Sequence, residues 1–136
     1  MDRYLAIDYG TKRVGTALTD PLKMIAQPYL VLANDRQLLS NIEKIIKEKN
    51  ISRIILGNPI TLSGQPALAA QAVVQFAERL RTIVGDIPIV LRDERMTTAE
   101  AEKALISTGM RRENRKQTID AIAASLLLQG YLQEQQ

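Results

Sequence analysis

Neither cysteine nor histidine occurs among the 136 residues, and each absence closes off chemistry. Without cysteine there is no disulfide scaffold, zinc finger, thiol nucleophile or redox pair, as suits a reducing compartment. Without imidazole there is no Ser-His-Asp triad, no His-ligated metalloprotease and no His-driven ribonuclease chemistry. Catalysis must then come from carboxylates, hydroxyls, lysine, or a metal held by oxygen. Aromatics are scarce, with four Tyr and one Phe, too few for a sheet of base-stacking rings. Long apolar runs are also missing: the first, Tyr4 to Ile7, is cut by Asp8. No signal peptide or membrane span is read from such a pattern, and a cytoplasmic address is expected.

What remains is a chain in the single-domain range, able to bury roughly two-thirds of the surface its unfolded form exposes. One domain over 1–136 is expected. Eighteen basic and fifteen acidic side chains leave a formal charge of +3. That balance permits a nucleic-acid partner without requiring one.

Tyr4 to Ile7 and Val14 to Leu18 read as two short strands joined by the polar stretch Asp8 to Arg13, in which Gly10 is free to take a positive φ. A third strand falls within Gln27 to Leu32. From Asn34 or Asp35, either able to cap, Leu38, Leu39, Ile42, Ile45 and Ile46 recur at helical spacing. Ile51 to Leu56 has the continuous aliphatic look of a buried parallel strand, stopped at Gly57-Asn58-Pro59. A second helix carries Ala69, Val73, Phe76, Leu80, Ile83 and Val84, and Ile87 to Arg92 supplies a fifth strand. Thr97 and Glu100 fit a capping box opening a helix that stops near Gly109. Arg111 to Lys116 reads as a basic connector, and Ile119 to Tyr131 as a last helix. Three opening strands followed by alternating helices and strands predict an α/β fold with a five-stranded mixed sheet, its first three strands antiparallel and the others parallel.

Three acidic positions stand at ends of these elements. Asp8 follows the first strand, at the edge where open α/β sheets bind ligands; its other reading is a turn residue accepting backbone amides. Asp93 and Glu94 end the fifth strand on alternate faces, so only one of them can easily point to a common site, and a polar turn before a helix cap is the competing reading. Asp120 lies in the last helix beside Ala123, Ala124, Leu127 and Tyr131, on a side expected to be buried. An anion there must be paired, hydrogen-bonded or bound to metal, and a salt bridge to a nearby Arg is the simplest case. Carboxylates converging without His or Cys describe an oxygen-only site for Mg²⁺ or Mn²⁺, suited to phosphodiester hydrolysis. Lys12, Arg13, Arg95, Arg111, Arg112, Arg115 and Lys116 flank these positions. They would grip backbone phosphates with little sequence reading, unless the 111–116 cluster is an ordinary solvated charge run.

Four segments carry a resemblance: Ala6-Ile7-Asp8-Tyr9-Gly10-Thr11-Lys12-Arg13-Val14-Gly15; Gly57-Asn58-Pro59; Asp93-Glu94-Arg95-Met96-Thr97-Thr98-Ala99-Glu100-Ala101; and Ile119-Asp120-Ala121-Ile122-Ala123-Ala124 with Leu128-Gln129-Gly130-Tyr131-Leu132. In this order, and almost end to end, the chain resembles the YqgF (RuvX) family, bacterial pre-16S rRNA nucleases also described as Holliday-junction-resolvase-like. The resemblance implies an RNase H-like fold and a cytoplasmic, metal-dependent hydrolase maturing the 5′ end of 16S rRNA, with four-way-junction resolution credited to some members. The family's acidic positions fall on Asp8, Glu94 and Asp120, and its first-hairpin motif on Gly10 to Arg13, with Gly10 and Gly15 as turn glycines. A fifth strand two places from the first would lie roughly 10 Å away, which favours the longer Glu94 as a ligand. Two departures stand out: an amide, Asn58, where related resolvases end that strand in an acid, and Ile60-Thr61-Leu62-Ser63-Gly64-Gln65 in place of the family's usual loop.

Branched DNA is the alternative substrate to RNA. Monomer and homodimer are both open readings, and symmetric junction cutting asks for two active sites, so oligomeric state bears directly on the DNA alternative. A non-catalytic RNA- or ribosome-binding module is a further alternative, because a fold alone never establishes an activity. Nucleotide hydrolysis is disfavoured: Gly10 to Gly15 imitates a phosphate loop, but Thr16 follows where Lys is required.

Overall fold

A computed structural model describes the backbone of residues 2–59, 68–94 and 112–135, and their side chains except at 59, 68–69, 94 and 112–118. Five strands form one sheet: β1 (Arg3–Tyr9), β2 (Arg13–Thr19), β3 (Ala26–Ala33), β4 (Ile51–Pro59) and β5 (Ile89–Glu94). Among the described residues three helices accompany them: α1 (Leu38–Glu48), α2 (Leu68–Val84) and α3 (Arg112–Glu134). The spatial order is β3-β2-β1-β4-β5, antiparallel across β3, β2 and β1 and parallel across β1, β4 and β5. This is the mixed sheet expected from the sequence, with β5 two places from β1. The expected capping-box helix at 97–109 and the loop at 60–65 lie outside the described residues.

Side-chain alternation sorts the sheet into two faces. Leu5 and Ile7 of β1, and Ile54 and Leu56 of β4, join Leu38, Ile42 and Ile45 of α1 and Val73, Phe76, Leu80 and Val84 of α2 in the larger core. Ala6, Ala17 and Ile55 face the other way, against Ala124, Leu127, Leu128 and Tyr131 of α3. Small residues beneath a helix let it approach closely, and this face is paved with them.

Several local expectations are corrected. Gly10 does not adopt a positive φ; among the described residues the only such glycine is Gly85. Gly10 is required for space instead, since a Cβ there would lie 2.4 Å from the Arg13 carbonyl oxygen. Helix α1 starts later than Asn34 or Asp35 would have it. The Asp35 carboxylate accepts the Gln37 amide at 2.8 Å, which makes a turn, and the helix then opens at Leu38 with no side-chain cap on it. The basic stretch is not a connector: from Arg112 onward it forms the first turns of α3. Strand β5 opens at Ile89 instead of Ile87 and runs on to Glu94.

The β2–β3 ladder contains a bulge that periodicity does not reveal. Gly15 pairs with Val31 and Ala17 with Pro28, so two residues of β3 oppose Thr16. The buried Thr16 hydroxyl serves both backbone groups of Leu30, donating to its carbonyl at 2.7 Å and accepting from its amide at 2.9 Å.

Candidate nuclease site at one edge of the sheet

Strand β1 carries Asp8 as its second-to-last residue, paired with Gly15 of β2. Residues paired across an antiparallel ladder share a face, and the even-numbered position puts Asp8 on the face of Ala6, beneath α3. Its partner Gly15 explains how the helix comes so near. A Cβ at Gly15 would lie 1.9 Å from the Asp120 carbonyl oxygen and 2.8 Å from the Ala121 amide nitrogen. The backbone of α3 at Asp120 therefore rests directly on β2, next to the strand position of Asp8. On the other side of β1, Ile7 pairs with Leu56, so the register continues from Asp8 to Gly57. Asp8 thus stands on a strand flanked at its own level by Gly15 of β2 and, by continuation of the register, Gly57 of β4.

Asp120 is paired. The Arg13 Nε donates to its Oδ2 at 2.7 Å, and the side chains retain 40% and 20% of their exposure respectively. The salt-bridge reading of Asp120 is therefore present, with Arg13, itself expected on phosphate, as the partner. A half-exposed pair of this kind contributes only about 0.2–1 kcal/mol, because water screens it. Arg13 opens β2 on the same face as Gly15 and Ala17, so the guanidinium lies at the rim and the carboxylate further in.

The fifth strand separates its two acids. Asp93 pairs with Asn58 and accepts a long hydrogen bond, 3.4 Å, from its Nδ2. Asn58 lines a cleft with Ala70, Gln71, Val74 and Gln75 of α2, which puts Asp93 on the face away from Asp120. Glu94 pairs with Pro59 at the alternate position, in step with Val90, which packs under α3, and Arg92, which meets Glu134 of α3 at 2.7 Å. Backbone register thus sets position 94 in step with Val90 and Arg92, and Asp93 at the alternate position. The Glu94 side chain lies outside the described residues. Among those described, no three acidic side chains lie together as a metal-holding group.

Of the expected phosphate-binding cations, Lys12 is exposed at the tip of the β1–β2 hairpin. Arg112, Arg115 and Lys116 stand on the first turns of α3, which end at the Asp120 level of the helix. Arg95 and Arg111, and the side chains of those three, lie outside the described residues. Sequence reasoning missed Asn34, whose Nδ2 donates to the Gly10 carbonyl at 2.7 Å and whose amide donates to the Lys12 carbonyl at 3.0 Å. It fixes the hairpin tip against the end of β3. An amide at a strand end, able to bond to two backbone groups, is the signal that could have found it. The buried Asn58 Oδ1 has no hydrogen-bond partner.

Comparison with known proteins agrees with this architecture. Residues 2–134 match a family model described as RuvX, Holliday junction resolvase. A protein of Lachnospira eligens named "Putative pre-16S rRNA nuclease" is 40% identical over 98% of this chain and 99% of its own. One of the same name from Dictyoglomus turgidum is 41% identical over 96% and 93%. Among solved structures, the T. thermophilus RuvC in complex with a Holliday junction has a TM-score of 0.59 at 13% identity, over 99% of this chain and 96% of that one. The fowlpox virus resolvase with its junction DNA has 0.60 at 13%, over 98% of each. These two share the RNase H-like fold seen here. With a family match running from residue 2 to 134 and relatives of about 40% identity along nearly their whole length, the chain belongs to the RuvX family.

Proposed function

We propose that this protein is a metal-dependent nuclease that hydrolyses phosphodiester bonds in the 5′-end maturation of pre-16S rRNA, in the cytoplasm. The observation that carries the reading is the contact at Gly15, which sets the Asp120 segment of α3 onto the strand beside Asp8. Two carboxylates from opposite ends of the chain then share one face at the sheet edge where ligands bind in open α/β folds. The names of the relatives point to the substrate.

Asp8, Glu94 and Asp120 would hold the divalent cation. The donor set fits one: it is made only of carboxylate oxygens, which suit Mg²⁺ or Mn²⁺ over softer metals. A bound cation of this kind supplies charge stabilisation at the phosphate and an activated water. The chain's own part is positional. Asn34 holds the hairpin tip that presents Lys12, whose ammonium meets backbone phosphate. Arg112, Arg115 and Lys116 add positive charge on the helix that delivers Asp120, so affinity should fall as salt rises.

A second reading, resolution of four-way DNA junctions, is favoured by the family description and by the fold shared with two junction resolvases. One experiment separates the two. Precursor rRNA and a four-way DNA junction are offered side by side with Mg²⁺ or Mn²⁺, to wild type and to Asp8→Asn. Cleavage of the RNA, lowered at least about a hundredfold in the variant, is expected. Cleavage of the junction alone would move the assignment to DNA, and equal cleavage by Asp8→Asn would overturn the site.

A further inference from the structure

We infer that Arg13 and a divalent cation exchange places on Asp120, so that this one arginine couples nucleic-acid binding to metal loading. The inference rests on the nuclease reading above and specifies how its site is switched between two occupants.

The pair is built to open from one side only. Asp120 cannot withdraw, because its backbone lies against β2 at Gly15, where there is no room even for a methyl group. Arg13 can: its side chain is long, 40% exposed, and bonded to Asp120 through Nε at a single oxygen. A guanidinium gripping a carboxylate with both prongs would be the tighter arrangement. Asp8 and Asp120 share this face, and in the free protein Arg13 supplies the positive charge beside Asp120 that a metal ion would otherwise supply.

The competing attraction lies next to it. Lys12 is exposed at the adjacent hairpin position, so a phosphodiester approaching that tip meets Lys12 and Arg13 together. The planar fork of Arg13 matches two phosphate oxygens better than its present single contact. Phosphate that draws Arg13 outward leaves Asp120 to the cation, and a cation that takes Asp120 leaves Arg13 to the phosphate. Linkage makes the effect reciprocal: each ligand tightens the other by the same factor.

Calorimetric titration of Mn²⁺ tests this on wild type, Arg13→Gln and Asp8→Asn, each alone and with a short duplex of hydrolysis-resistant phosphorothioate linkages. Removing the competitor should tighten Mn²⁺ binding to Arg13→Gln by about fivefold in the absence of duplex. Duplex should then raise the Mn²⁺ affinity of wild type by more than it raises that of the variant, by about that same factor. Thermal melting confirms that each variant is folded. Unchanged or weaker Mn²⁺ binding in Arg13→Gln would overturn the exchange and leave Arg13 an orienting contact for Asp120. So would equal enhancement by duplex in both proteins. Mn²⁺ binding by wild type that Asp8→Asn abolishes upholds the site itself whatever Arg13→Gln shows, whereas a wild type that takes up no Mn²⁺ overturns both.

Discussion

A methyl group at position 15 would sit 1.9 Å from the Asp120 carbonyl oxygen, far inside contact distance, and the atom it meets is backbone. Nothing flexible can turn aside there, so α3 has to lift. Gly15→Ala should therefore destabilise the protein by about 3 kcal/mol, the upper part of the range for overpacked sites, as read from urea denaturation. It should also weaken divalent-cation binding, because lifting α3 carries Asp120 away from Asp8. The candidate acids stand out in the sequence one at a time. Asp8 interrupts the apolar pattern of β1 near its end and Asp120 that of the buried side of α3, while Glu94 closes β5, and a carboxylate in an apolar setting demands a partner. Their relation was less legible. Nothing in the spacing of a glycine at 15 and an aspartate at 120 says that one backbone touches the other, and Arg13 as the partner of Asp120 follows only from that contact.

Strands and helices with a strong apolar period were readable from their residues, as β1, β4 and α1 illustrate. Leu5 and Ile7 alternate with Ala6, Ile54 to Leu56 run unbroken, and Leu38, Ile42 and Ile45 keep helical spacing. The first turns of α3 were not readable. Arg112 to Gln117 offers no apolar residue, so periodicity is silent there, and the segment is helical as the continuation of a helix anchored further on. The β3 bulge was likewise invisible, being a property of two strands in register and not of either alone. It gives a test at this scale. Thr16 is fully buried, and its hydroxyl is the partner of both Leu30 backbone groups. Thr16→Val keeps the shape and orphans those groups, so a loss of about 1–3 kcal/mol is expected in the same denaturation experiment.

At the scale of the whole molecule, two carboxylates among the described residues and outside the candidate site are held below their ordinary range and contribute to the response to acid. The Ser52 hydroxyl first, and then the Lys23 ammonium, hold the Asp2 carboxyl down at about 2. Asp20 is also lowered, chiefly by the Ile25 amide and then by those of Met24 and Leu22 in the loop it closes. A carboxyl whose folded value is depressed adds stability that is complete above the unfolded value near 3.8 and is lost as pH falls toward the folded one. The thermal midpoint should thus drop between about pH 4 and pH 2, and less steeply in Asp2→Asn than in wild type, when followed by circular dichroism. The order of elements along the chain has a consequence of another kind. The five described strands all precede α3, and on the face of Ala6, Ala17 and Ile55 it is α3 that packs against them. On a ribosome still translating, the nascent strands can pair before α3 packs onto that face. The nascent sheet is thus one-sided until α3 has been made, and under the proposed nuclease reading Asp120 joins Asp8 only at that stage.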